Sequence, residues 1–330
     1  MDYGLLLARA WRVVWNNKFM ILLGFLVALG SGSQGFSANF GPDQPMAQDP
    51  EAFKRFFENI ERFAAVGLLV VFLGLLLVVV FWLVRLVAAG GLIAAAADIA
   101  AGEERTLRGA LGRGFEKLPG LAAISLIFWG PFVLVGGLVF LLAAITGFAG
   151  FEALLRGAPD PEVGAAFGSL GLIVVCGILL ACLLAPIWLV LSLIYPFAQR
   201  GLVLGNLSPT AGIKHGWAFL RQNAGEVIIL ALIAFAGGIF FSAVAAAVLL
   251  PLALAAGLPA MMRMAEGVTM SAGDVLWLVL VFLIGTLIAA AVNSLYYALR
   301  STAATLFYQE LTAKGALPAE MLPEPGPAPM

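Results

Sequence analysis

Long unbroken apolar runs dominate the chain, at residues 63–97, 118–149, 165–198, 227–256 and 275–299, with a shorter one at 19–29. A bilayer core of about 30 Å takes roughly 20 apolar helical residues, so each long run predicts a membrane-spanning helix. At about 1.5 Å per residue the run at 19–29 covers only about 16 Å and must extend at both ends to cross. Its flanks, Lys18 and Ser31-Gly32-Ser33, also suit the apolar region of a signal peptide. The run at 63–97 has the opposite problem: about 52 Å of straight helix must tilt, break or project. Gly90-Gly91 offers a break there, and Pro186 and Pro196 offer breaks in the run at 165–198. The second, fourth and sixth spans are expected to continue as short helices beyond the bilayer.

Between the runs the pattern turns amphipathic, and it repeats. Residues 2–11, 106–115 and 208–217 each open on a capping residue, Asp2, Thr106 or Ser208. Five residues on comes an aliphatic side chain (Leu7, Leu111, Ile213). It is followed by a basic or potentially basic residue (Arg9, Arg113, His215), a small one (Ala10, Gly114, Gly216) and an aromatic (Trp11, Phe115, Trp217). A side-chain oxygen that accepts from the free N–H groups of a first turn fixes a helix start at the same place in each segment. A second marker falls at Asp49-Pro50-Glu51, Asp160-Pro161-Glu162 and Ser271 with Asp274, all helix-start signals ahead of the partner spans. Two markers in one threefold order outweigh the signal-peptide reading and give six spans. The chain is therefore expected to be all-α and polytopic, with three parallel pseudo-repeats of about 1–104, 105–206 and 207–316. Each repeat is an interfacial helix followed by a helical hairpin. Residues 1–316 form one membrane domain, and the Pro-rich stretch 317–330 reads as a disordered tail.

Charge sets the orientation. Outside the runs, twelve Lys and Arg fall on the side holding both termini and five on the other, while Arg85 lies within a span. The positive-inside bias puts both termini in the cytoplasm, so the expected location is a bacterial inner membrane, crossed several times. On the cytoplasmic side Arg9, Trp11, Arg12, Trp15, Lys18, Arg113, Phe115, Lys117, Lys214, Trp217 and Arg221 pair cations with aromatic rings. Such pairs suit anionic headgroups. His215 and Phe219 are expected to join them at that interface. On the other side Phe53, Phe56, Phe57 and Ile60 alternate at helical spacing with Lys54, Arg55, Glu58 and Glu61, after a Gly- and Ser-rich loop at 30–48.

Composition narrows the chemistry. The chain has 330 residues, 62% hydrophobic and 11% charged, too few charges to cover a water-facing surface. A net charge of −1 with scattered cations leaves no electropositive face for nucleic acid. One histidine and two cysteines, Cys176 and Cys182, leave little for a metal or a nucleophile, and no hydrolase, P-loop or zinc motif occurs. The expectation is no enzyme, no cofactor and no metal. The cysteines, six apart on one helix, cannot bridge and are expected to pack as apolar groups. Arg85 and Asn293 form the possible intramembrane polar site. Arg85, Arg200 and Arg300 sit late in the returning spans, where snorkelling to headgroups is expected, with Asp98 or Glu226 as alternative partners for Arg85. Asn293 and Ser294 are expected to bond across helices, Asn223 and Glu226 to form a capping box, and Asp98, Glu103 and Glu104 to lie in a solvated loop with Arg105 and Arg108. Gly164-x-x-x-Gly168 and Gly201-x-x-x-Gly205 allow close helix contact.

The opening Ala8-Arg-Ala-Trp11 with Trp15-Asn-Asn-Lys18, recurring as Gly216-Trp217 with Arg221-Gln-Asn-Ala-Gly225, resembles a family of uncharacterised bacterial six-span membrane proteins. That family is similar to the membrane domain attached to some glycerophosphodiester phosphodiesterases. The catalytic barrel of those enzymes has no counterpart here, so the resemblance implies a membrane module without that activity. The function expected is a non-enzymatic module associated with membrane lipids, with a membrane-protein partner or a homo-oligomer as further company. The alternative is a small-solute or lipid permease working near Asn293, Arg85 and a broken fourth span.

Overall fold

The computed structural model describes residues 2–30, 50–155, 160–265 and 272–315, and every element among them is an α-helix. In chain order these are α1 (Tyr3–Asn16), α2 (Phe19–Leu29), α3 (Pro50–Ala100), α4 (Leu107–Glu116), α5 (Leu118–Leu155), α6 (Asp160–Leu204), α7 (Pro209–Gln222), α8 (Ala224–Ala265) and α9 (Ala272–Ala313). The three capping residues act where the sequence puts them. Asp2 accepts from the Leu5 N–H, Thr106 from Gly109 and Ser208 from Ala211, each three residues into its helix. The partner helices α3, α6 and α9 start at Pro50, Asp160 and Ala272, at the second marker. The side chains of Asp49 and Ser271, the stripe from Phe53 to Glu61, the loop at 31–48 and the tail at 317–330 lie outside what is described.

Among the described residues five helices are long and apolar enough to cross a bilayer: Phe72–Ala100, Leu118–Gly147, Gly168–Leu204, Ala224–Ala255 and Leu283–Ala313. The short helix α2 joins them only as the continuation of α1, and the two are bent by 99° at Asn17–Lys18. The long helices run through the residues expected to break them. Gly90-Gly91 lies inside α3, and Pro186 and Pro196 lie inside α6. A proline removes one N–H, and a long apolar helix with neighbours keeps the rest of its ladder. At 45 and 51 residues, α6 and α3 extend to about 67 and 76 Å, well beyond a bilayer core.

The glycines in α3 serve packing instead. A Cβ on Gly91 would lie 2.6 Å from the Ala110 carbonyl oxygen, and one on Gly114 would lie 2.0 Å from that of Val87. The α4 backbone therefore rests directly on the α3 backbone. The same device seats α7 on α6, where a Cβ on Gly216 would lie 2.9 Å from the Ala198 nitrogen and 3.0 Å from the Ile194 oxygen. Ala10, the third small residue of the repeat, is buried as α1 packs on α9. Each short helix thus leans on the long helix preceding it, with α9 closing the order onto α1. Of the two glycine pairs, Gly201 packs on the His215 ring, while Gly164 and Gly168 have nothing against them among the described residues.

Burial gathers at this base. Phe197, Phe219, Phe307 and Tyr308 centre one cluster, and Met20, Leu23, Leu92 and Ala298 another. Away from the base the hairpins expose their apolar sides, and no apolar span window is more than 17% buried. In water that surface would be untenable; in lipid it meets its own kind. The chain is an integral membrane protein. Cys176 and Cys182, expected to pack, are free and exposed on α6 because that stretch has few neighbours.

Candidate functional site

The three short helices carry two unlike faces. One is buried against the long helices through Leu6 and Ala10, Ala110 and Gly114, Gly212 and Gly216, four residues apart in each case. A spacing of four keeps side chains on one helical face. The other face holds the predicted interfacial set. Arg9, Arg12, Lys18, Arg113, Lys214 and Arg221 are exposed, as are Trp11 at 45%, Trp15 at 55%, Phe115 at 68% and Trp217 at 51%. Trp11 and Trp15 stack with ring centroids 5.4 Å apart. Lys117 is half-buried and donates to the Asn206 side chain, linking the α4–α5 junction to the turn after α6. Large rings and cations left on one side of a helix whose other side is packed make an interface-seeking surface.

Three residues depart from that pattern. His215 holds the basic position of its repeat, yet it is 1% exposed, and its Nε2 lies 2.8 Å from the Tyr308 hydroxyl. Phe219 is fully buried and stacks on Phe197 at 4.6 Å. Arg200, expected to snorkel, is 3% exposed. Its two terminal nitrogens donate to the Pro196 carbonyl at 2.7 Å and the Ser301 carbonyl at 2.9 Å, tying α6 to α9. All three turn inward toward α9: His215 and Phe219 of α7 meet Tyr308 and Phe307, and Arg200 of α6 meets the Ser301 carbonyl. Burial pushes the His215 imidazolium pKa down, so the ring stays neutral at pH 7. The Thr305 hydroxyl shares the Ser301 carbonyl with Arg200, which gives that buried cation a polar surround without a carboxylate among the described residues.

Arg85 occupies a second polar spot. It is half-buried on α3, with the α2 terminus at Gly30 packed on its Cβ and the Tyr195 hydroxyl of α6 within reach of its charge. Trp82, one turn away, donates to the Ser125 hydroxyl at 3.3 Å, and Trp129 and Trp188 stand 6.1 Å apart beside Tyr195. Tyr195 thus places Arg85 near a group of aromatic side chains on α5 and α6. It has no carboxylate among the described residues: Asp98, one suggested partner, pairs with Arg105 at 2.8 Å, and Arg105 also reaches Glu103 at 3.3 Å. Arg300 is exposed.

Asn293 and Ser294 bond within their own helix, to the Ala289 and Ala291 carbonyls, and among the described residues not across to another. No hydrogen bond among the described residues joins Asn293 to Arg85. The capping box at Asn223 does not form. The Asn223 N–H and side-chain amide both donate back to the Phe219 carbonyl, and one Glu226 oxygen is buried without a partner. The Asn17 amide does likewise at the end of α1, donating to the Val13 carbonyl at 2.9 Å. The paired amide residues Asn16-Asn17 and Gln222-Asn223 hold the signal for this device, a helix closed by its own side chain before the chain turns into a span. Sequence reasoning missed the buried polar group too, although Thr302, Thr305 and Tyr308 recur at helical spacing late in α9. Compared with protein-family models, curated proteins and solved structures, the chain matches none.

Proposed function

We propose that the protein is a non-enzymatic scaffold of the bacterial inner membrane, held to the anionic cytoplasmic leaflet by its three basic-aromatic helices. In this reading it crosses six times as three like-facing units, with both termini in the cytoplasm. One observation carries the reading: α1, α4 and α7 each bury a small-residue face and leave Arg or Lys beside Trp or Phe on the opposite side. Three capping contacts at one offset, and the cyclic seating of each short helix on a preceding long one, support the threefold arrangement. Each cation near an anionic leaflet contributes about 1 kcal/mol, so three helices together hold the base firmly to it. A membrane-protein partner or a second copy would meet the exposed hairpins.

The test is lipid retention by native mass spectrometry after purification in lipid. The wild type is expected to keep anionic phospholipid, and Arg9→Ala, Arg113→Ala and Lys214→Ala together are expected to release most of it. Retention unchanged by the triple substitution, or none in the wild type, would remove the reading.

A further inference from the structure

The 99° elbow between α1 and α2 opens a wedge against α9. It forms a groove of about 530 Å³, lined by Trp15, Lys18, Ile21, Leu22, Phe25 and Ala291 among others. That size falls within the roughly 300–1,000 Å³ of ligand sites. The wedge has a fixed hinge. Gly24 brings the α2 backbone onto that of α9, where a Cβ would lie 2.1 Å from the Ser294 carbonyl oxygen, so the groove cannot close by sliding the helices together.

We propose that this groove seats one anionic phospholipid, with an acyl chain along Ile21, Leu22, Phe25 and Ala291 and the phosphate on the Lys18 ammonium. The proposal rests on the lipid-scaffold reading and names a single stoichiometric site within it. Charge and polarity decide the occupant. Among the described residues the groove carries one charge, Lys18, and a floor that is apolar but for Ser294, whose hydroxyl is spent on the Ala291 carbonyl; a peptide backbone laid on that floor would lose its hydrogen bonds, whereas an acyl chain has none to lose. Among the described residues the Lys18 side chain has no hydrogen bond or ion pair. Lys117, the cation at the next short-to-long junction, is already committed to Asn206. The third junction, at Asn223-Ala224, has no cation. Only the first elbow therefore joins a cleft to an uncommitted ammonium. Trp15 at its mouth, stacked on Trp11, supplies the ring that belongs at headgroup depth. A phosphate oxygen on an ammonium makes a charge-assisted bond, which phosphatidylcholine answers less well because its own cation competes.

The experiment uses the full chain, reconstituted with phosphatidylcholine and phosphatidylglycerol in equal parts and released for native mass spectrometry. The wild type is expected to keep one phosphatidylglycerol more tightly than the rest, and the Arg9, Arg113 and Lys214 triple variant is expected to keep that one. Lys18→Gln is expected to weaken it about tenfold. Leu22→Trp, which fills the groove, is expected to expel it. Both positions are exposed, and Lys18→Gln alone carries the test if the bulkier variant does not fold. Unchanged retention in Lys18→Gln, or equal retention of the two lipids, would overturn the site. Loss in the triple variant with no loss in Lys18→Gln overturns the site and leaves the scaffold standing; no loss in either overturns both.

Discussion

Replacing Gly114 with alanine tests how the short helices are held. In α4 the added methyl would lie 2.0 Å from the Val87 carbonyl oxygen and 2.8 Å from the Gly91 nitrogen. Both are backbone atoms of α3, which cannot rotate aside as a side chain can. The helices must separate by more than an ångström, and Ala110 beside Gly91 separates with them. Overpacking of this kind costs about 1–3 kcal/mol. Alanine also gains about 1 kcal/mol over glycine inside a helix, so the expected net loss is up to about 2 kcal/mol. Gly112 supplies the control. It lies in the same helix with nothing within 4 Å, so Gly112→Ala keeps the propensity gain alone and is expected to stabilise. Gly216→Ala, facing α6 at 2.9–3.0 Å, should fall between them. Thermal unfolding in detergent, followed by tryptophan fluorescence, gives the ranking. Shifts of equal sign for Gly112→Ala and Gly114→Ala would refute the backbone-to-backbone seating.

Further outcomes follow from the base. The depressed pKa of His215 means that the unfolded chain takes up this proton first. Its contribution to stability is whole above pH about 6.5 and is lost as pH falls toward the folded value, by up to about 1.4 kcal/mol per unit. His215→Gln should flatten that slope in melts run across mildly acid pH; a slope that persists would assign it elsewhere. Arg200→Ala strips two charge-assisted bonds and leaves the α6–α9 contact hollow, with an expected loss of about 2–4 kcal/mol. Arg200→Lys should recover less than half of it, since one ammonium serves two carbonyls poorly. A melt of Arg200→Ala equal to the wild type would contradict the strut.

What could be read in advance is what local chemistry decides. Asp2, Thr106 and Ser208 cap their helices because the acceptor and the N–H lie within one turn, and the apolar runs form helices because lipid leaves the backbone no other partner. Trp11, Phe115 and Trp217 face outward because the small residue before each fixes the opposite face. His215, Arg200 and Phe219 were misplaced because their burial depends on a helix distant in sequence. The same position of the repeat is exposed in Arg9 and Arg113 and covered in His215 only where Tyr308 of α9 reaches it. Gly90-Gly91 reads alike as a hinge or a contact until the partner backbone is known. Asn223 had two local choices, a cap for α8 or a closure for α7, and the bond back to Phe219 won.

The account rests on three hairpins facing the same way across the membrane. A variant lacking both natural cysteines, carrying a single new one at Gly4, Gly102, Asn206 or Lys314, settles it by labelling with a membrane-impermeant maleimide. All four positions should react in inside-out vesicles and stay unlabelled in right-side-out ones. A label at any one of them from the outer side would break the even count of crossings, and with it the arrangement of α1, α4 and α7 on a single leaflet.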